Sequence, residues 1–337
     1  MTPLTRLAAA LVALALVAAA CSDDDGEDTA PATTAETTSI TVMLNWVPNA
    51  HHAGIYLARE RGYYAAEGLE IEIIEPAFDI GVEAAVAAGQ ADIGLAQAES
   101  LLPARAAGVD VAAVATILPS NDSVLMGLAD DGIERPRDLE GATYGGFGGA
   151  LETELISQLV ECDGGDPAAV EFVEVGNVDY VPGMQQDRFD VAWVFSGWDR
   201  LRADEVLGVE ATEIRFDDFL DCIPDWYTPL VLASSDRIAA GDDRISGFLA
   251  ATARGYADVA GDPTAAVEAM AGDVLELDAE LIDAAIGYYA DRFLVDGTWG
   301  AMDGAVWDEF ATFLVDAGLL EGELDVAAAW TNELLPG

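Results

Sequence analysis

Lysine is missing from this chain. All 14 basic residues are arginine, and they stand against 62 aspartates and glutamates, for a formal net charge of -48. Chemistry through a lysine Schiff base is therefore excluded. A nucleic-acid or anionic-membrane partner is disfavoured, because both need basic patches. Histidine is nearly absent as well: His51 and His52 are adjacent and have no Cys-x-x-Cys partner, so no zinc-ligand spacing exists. Cysteine is limited to Cys21, Cys162 and Cys222. No internal repeat recurs at a fixed period. Residues 7–20 form an unbroken run of 14 apolar residues, short of the ~20 needed to cross a bilayer. What is present is ample core material: 337 residues, 52% hydrophobic, enough for about two domains of ~150 residues and too apolar for global disorder. The dense carboxylates suit a high-salt habitat, where screening removes their repulsion; a bias of composition is the other open reading.

The apolar run follows Arg6 and ends in Ala18-Ala19-Ala20-Cys21. That is the layout of a secretory signal, and its end resembles a lipobox, which implies cleavage before a lipidated Cys21. Residues 1–21 are expected to be this signal. Residues 22–38, acidic and then rich in Thr, Ala and Pro, are read as a solvated tether. An exported chain leaves Cys162 and Cys222 free to pair or to remain two small buried residues; their separation decides nothing.

From residue 39 strand and helix patterns alternate. Strands are predicted at 40–44, 69–74, 92–96, 109–118, 124–129, 142–144, 170–175 and 191–195. Helices are predicted at 50–66, 82–88, 100–107 and 151–160. After Val231 and Leu232 the pattern becomes helical, at 245–259, 263–270, 281–293, 306–317 and 326–335. Alternating units imply parallel sheets covered by helices, and two such blocks imply two lobes with a cleft between them.

Four clusters of polar and aromatic residues are left over. Asn45, Trp46, Asn49, His51 and His52 follow the first strand. Gln97 and Glu99 follow the strand at 92–96. Tyr144, Phe147 and Glu152 surround Gly145-Gly146 and Gly148-Gly149. Trp193, Phe195, Trp198 and Asp199 are joined by Asp225, Trp226 and Tyr227. Most lie near carboxyl ends of strands, where open α/β sheets bind ligands. Bland roles compete: Asn49 as a helix cap, Glu99 and Glu152 as first-turn acids, and Trp193 and Phe195 as core. The glycine loop lacks the Gly-Lys-Ser/Thr ending of a nucleotide P-loop.

The segments Asn45-Trp46-Val47-Pro48-Asn49-Ala50-His51-His52-Ala53-Gly54, Gly89-Gln90-Ala91-Asp92-Ile93-Gly94, Tyr144-Gly145-Gly146-Phe147-Gly148 and Ala192-Trp193-Val194-Phe195-Ser196-Gly197-Trp198-Asp199 together carry a resemblance. They resemble the solute-binding proteins of ABC importers for the thiamin pyrimidine precursor. That superfamily also holds the eukaryotic thiamin-pyrimidine synthase and the sulfonate-binding proteins. The resemblance spans residues 40–235. It implies an α/β, two-lobe periplasmic-binding-protein-like fold of type II, with a two-strand hinge. Lobe one is expected at 39–128 plus 232–337 and lobe two at 129–231.

Departures from the family narrow the function. The synthase holds pyridoxal phosphate on a lysine and has a histidine one turn later; those positions are Ala96 and Ser100 here. Its cysteine-rich iron-binding stretch is missing around Cys222. The sulfonate binders must hold an anion, whereas the four clusters contain acids and no arginine. The resemblance therefore implies a non-enzymatic monomer without cofactor or metal, held by lipid at the outer face of the cytoplasmic membrane. It would deliver an aminopyrimidine to an ABC permease and its ATPase; riboflavin or a sulfonate is the alternative ligand. The contacts expected are Asn45, Trp46, Asn49, His52 and Glu99 from lobe one, and Tyr144, Phe147, Glu152, Trp193, Trp198, Asp199 and Tyr227 from lobe two.

Overall fold

The computed structural model describes residues 37–76, 80–274, 278–320 and 324–337. The signal, Cys21 and nearly all of the tether lie outside these residues. Ten strands form two five-stranded sheets. The first contains β1 (Thr38–Met43), β2 (Leu69–Ile74), β3 (Ile93–Ala96), β4 (Val111–Thr116) and, from much later in the chain, β10 (Leu230–Ser234). Its order is β2-β1-β3-β10-β4. The second contains β5 (Ser123–Leu128), β6 (Thr143–Gly146), β7 (Glu171–Glu174), β8 (Val191–Phe195) and β9 (Ala211–Arg215). Its order is β7-β6-β8-β5-β9.

The expectation of purely parallel sheets is corrected. In the first sheet β10 runs antiparallel to β3 and β4, and in the second β5 runs antiparallel to β8 and β9. These are the strands laid down directly after the chain passes from one sheet to the other, after β4 and after β9. A strand entered through a helical crossover comes out parallel to its predecessor; one entered from the opposite sheet is free of that constraint. Strand β9 was not anticipated. Of its residues Ala-Thr-Glu-Ile-Arg only Ile214 is deeply buried, so the segment carries no apolar alternation.

The predicted helix at 50–66 is divided into a 3-10 turn (Ala50–His52) and helices Ala53–Glu60 and Tyr63–Ala66. The predicted helix at 326–335 is only a 3-10 turn, Val326–Ala328. Beyond it the backbone serves the sheet: Ala113 donates to the Ala329 carbonyl at 2.8 Å, and Thr331 donates to the Ala113 carbonyl at 2.9 Å. Those groups cannot also close helical turns.

Strands buried on both faces explain how two layers of side chains arise from one segment. In β5, Val124 and Met126 pack with Phe189 and Val194 on one side of the second sheet. Leu125 packs on the other, with Leu155, Trp226 and Phe310. The period-two alternation thus supplies two cores. Cys162, at the end of helix Ala150–Cys162, is bonded to Cys222 with their Cα atoms 5.8 Å apart; the pairing left open by the sequence is formed. Among the described residues no helix is long and apolar enough to cross a membrane.

Candidate functional site

Between the two sheets lies a cavity of about 500 Å³. Asn45, Trp46, Asn49 and His51, from the turn after β1, line one wall together with Gln97 and Glu99 after β3. The opposite wall carries Phe147 and Glu152 from the glycine loop, Tyr180, and Trp193, Trp198 and Asp199 in and after β8. Tyr289, at the end of helix Ala279–Tyr289, closes the floor. Among the described residues no arginine lines this cavity.

The first wall is built by a local hydrogen-bond chain. Asn49 caps the 3-10 turn: its Oδ1 accepts from the His51 backbone N–H at 3.0 Å, and its own N–H donates to His52 Nδ1 at 3.2 Å. Burial holds the His52 pKa down to about 3. The ring is therefore neutral, with its proton on Nε2 because Nδ1 is already an acceptor. That Nε2 donates to Asn45 Oδ1 at 2.9 Å. The Asn45 carbonyl is thus spent inside the protein, and its amide nitrogen is the half left to the cleft. His52 itself is fully buried and does not line the cavity. It is a positioning residue.

His51, whose side chain faces the cavity, was noted in the first cluster but not put forward as a contact. Its ring is set edge-on to Phe195 at 5.2 Å and to Tyr289 at 4.6 Å. Burial keeps its pKa at about 3, and its Nε2 is buried without a hydrogen-bond partner. Glu99 is in a similar condition. Its Oε2 is buried without a hydrogen bond of good geometry, and burial pushes its pKa up to about 7 against the opposing pull of its own backbone N–H and the nearby Trp226 indole, with a small further push from Glu83. Buried polar atoms of this kind are rare unless something else supplies the partner.

The second wall is different. Glu152 Oε1 accepts from the Tyr144 hydroxyl at 2.8 Å, while Oε2 accepts from the backbone N–H of Phe147 at 3.0 Å and of Gly149 at 2.9 Å. The glycine loop is shaped around this carboxylate. A Cβ at Gly146 would sit 2.5 Å from Glu152 Oε1, and Gly148 has φ of +77°, a left-handed conformation that glycine adopts freely. Tyr144 is accordingly buried behind Glu152 and does not reach the cavity.

Asp199 lies in the wide helical turn Ser196–Arg200. Burial raises its pKa to about 6, and Asp179 adds to the shift. Arg202 opposes it by more than Asp179 adds, and its guanidinium is bonded to both oxygens of Asp179 at 2.8 and 3.0 Å. Trp193 leans one face on Phe216 and Trp226, at 5.2 and 5.9 Å, and presents the rest to the cavity. Phe147 and Trp46 remain 55% and 38% exposed at the mouth.

The structure does not bring Tyr227 to the cleft. Its hydroxyl accepts from the Asp303 backbone N–H at 2.7 Å, and its ring packs on Trp307 at 5.8 Å. Of the neighbouring residues, Trp226 is core, stacked on Phe310, and Asp225 accepts from the Asn121 backbone. Nine of the twelve expected contacts, all but His52, Tyr144 and Tyr227, share the cavity. Tyr180, Asn177 and Tyr289 were missed: each belongs to a segment whose strand or helix pattern gives no sign that it faces a cleft. Among the described residues no group of three or more His, Cys, Asp or Glu is placed to hold a metal.

Two mixed sheets, joined by two passages of the chain and enclosing a lined cleft, define the periplasmic-binding-protein fold. The solved structure of the periplasmic aliphatic sulphonate binding protein from Escherichia coli superposes with a TM-score of 0.67 at 16% identity, covering 89% of this chain and 94% of that one. More narrowly, residues 49–266 match the family described as NMT1/THI5 like, and the chain belongs to that family. Its relatives differ in what they are named for. A formylaminopyrimidine-binding protein from Halalkalibacterium halodurans is 26% identical over 82% of this chain and 84% of its own length. The riboflavin-binding protein RibY from Chloroflexus aurantiacus is 28% identical over 91% and 90%. A 4-amino-5-hydroxymethyl-2-methylpyrimidine phosphate synthase from Legionella pneumophila is 24% identical over 88% and 92%.

Proposed function

We propose that this chain is a non-catalytic solute-binding protein that captures a thiamin-precursor aminopyrimidine and delivers it to an ABC importer. The observation that carries this reading is the make-up of the cavity: aromatic rings around Glu99 and Asp199, with no arginine. A flat ring stacks on the aromatic residues, and its amino and ring N–H groups donate to the carboxylates, the stronger class of hydrogen bond. A permanent anion meets repulsion with no compensating cation. The formylaminopyrimidine-binding relative agrees with this choice. The synthase-named relatives favour an enzyme, yet pyridoxal phosphate does not fit the residues present: Ala96 offers a methyl group and Ser100 a hydroxyl where the resemblance places the lysine and histidine.

The lobes, one built on each sheet and so divided ahead of β5 (Ser123–Leu128) rather than after residue 128, close on the ligand about the two passages between the sheets. A lipidated Cys21 holds the protein at the outer face of the membrane; Cys21→Ser then moves it to the soluble fraction, and unchanged membrane retention with lipid labelling refutes the anchor. Calorimetry tests the ligand class. Binding of an aminopyrimidine with none of taurine or alkyl sulfonates supports the reading, and the reverse pattern refutes it.

A second reading has its own observation. The volume of about 500 Å³ lies in the ~300–1,000 Å³ range that accommodates drug-sized ligands. That is more than one pyrimidine ring fills, and a flavin matches it better, as does the riboflavin-binding relative.

A further inference from the structure

The aromatic cavity does not end at its own walls. Asn45, Trp46, Gln97 and Asn177 also line a second compartment of about 610 Å³. The two compartments are therefore neighbours, with these four side chains at their boundary. The chemistry changes across that boundary. Among the described residues Trp46 is the one aromatic side chain lining the second compartment, and the rest of its surface is supplied by Glu75, Ile80, Val82, Glu83, Ala96 and Ser100 with their neighbours. Glu83 is 8% exposed, and its Oε1 accepts from the Ser100 hydroxyl, which is also 3.0 Å from the Gln97 carbonyl oxygen. Among the described residues no arginine lines this compartment either.

We propose that the second compartment is a subsite for an uncharged, hydroxyl-bearing arm carried by the bound heterocycle. The inference rests on the reading that the first compartment holds a flat ring. The amides of Gln97 and Asn177 each offer donors and an acceptor, and Asn45, its carbonyl engaged by His52, offers its N–H donors; a hydroxyl both gives and takes a hydrogen bond. A hydrocarbon arm would pack on Val47, Ile80 and Val82 but leave the amides without partners. A phosphorylated arm, with charge of about -1.5 to -2, would be placed against Glu75 and Glu83 with no cation to balance it. The ligand is thus recognised with its arm free of phosphate.

Matched probes test this on the full chain: lumichrome and riboflavin, which share a ring with and without a ribityl arm, and 4-amino-2,5-dimethylpyrimidine with its 5-hydroxymethyl counterpart. In whichever series the ring binds, the arm should tighten binding by at least about tenfold. Phosphorylating the arm should abolish that gain. Ala96→Phe, which plugs the compartment, should remove the gain while leaving the Kd of the ring-only probe within about twofold. Ser100→Ala, which keeps the fold's volume, should reduce the gain in the same selective way. Equal binding with and without the arm overturns the subsite and marks the compartment as solvent only. So does tolerance of the phosphate, or an equal loss for both probes in the variants. If neither ring binds, the heterocycle reading falls and the subsite falls with it. Ring binding without an arm effect removes the subsite alone.

Discussion

Glu99 and Glu152 face one cavity from opposite sheets, and each stands in the first turn of a helix. Their surroundings are opposite. Glu152 is saturated by a tyrosine hydroxyl and the backbone N–H groups of its own loop. Glu99 has a buried oxygen with no partner and a carboxyl pushed up to about 7 by burial. The first carboxylate is consumed in shaping the wall. The second is held in reserve, with its charged form disfavoured until a donor arrives. Equal chemistry at equal helical positions therefore gives a structural acid on one side and a candidate recognition acid on the other. The difference is the loop ahead of the helix: glycines fold back onto Glu152, whereas the short link from β3 leaves Glu99 uncovered.

The largest effect that tests this contrast is on affinity. Glu99→Gln should weaken an aminopyrimidine by about 10- to 150-fold, the loss of a charge-assisted bond of ~1.5–3 kcal/mol. Titration calorimetry measures it, and unchanged affinity would reduce Glu99 to wall material. Glu152→Gln should instead lower unfolding free energy by about 1–3 kcal/mol, because backbone donors lose a charged acceptor. Affinity per folded molecule should move far less than in Glu99→Gln. An equal or larger affinity loss would reverse the assignment.

The acidity of Glu99 sharpens the same point. Its folded pKa of about 7 exceeds the ordinary 4.5, so the folded state binds a proton that the unfolded state releases first. Stability from this group is intact below the unfolded pKa and declines as pH rises through about 7. The ligand-free Glu99→Gln variant should match the wild type near pH 4. It should then become more stable than wild type as pH rises, levelling off at roughly 3 kcal/mol above pH 7. Denaturant titrations at several pH values read the difference, and a flat difference would mean that the carboxyl is solvated. The smallest effect belongs outside the cleft. Tyr227→Phe removes the acceptor of the Asp303 N–H and should cost about 0.5–1.5 kcal/mol of stability with ligand affinity unchanged. A change in affinity would return Tyr227 to the site.

Most of the candidate cleft was legible because ligand-facing residues follow strand ends, and strand ends are marked locally. Asn45, Trp46 and Glu99 each follow a readable apolar run, as do Trp198 and Asp199. Tyr227 misled for the same reason. It precedes β10 with the right composition, but its ring turns to Trp307, a residue 80 positions later whose packing no local pattern announces. His52 and Tyr144 misled more subtly: both sit one hydrogen bond behind a residue that does face the cavity, Asn45 and Glu152.

What the chain determined by itself was set by periodicity and by residue identity. Alternation placed most of the strands, and the shortage of basic groups forbade an anion site without its own cation wherever the clusters met. Absence of lysine ruled out an imine at any position. What only the tertiary structure decided involved partners distant in sequence. The directions of β5 and β10 depend on which sheet the chain has just left. The bond between Cys162 and Cys222 depends on a helix end meeting a loop 60 residues further along the chain. The fates of Glu99 and Glu152 depend on which donors the folded chain brings within reach. A carboxylate's identity is local, but its hydration and its hydrogen bonds are properties of the whole fold.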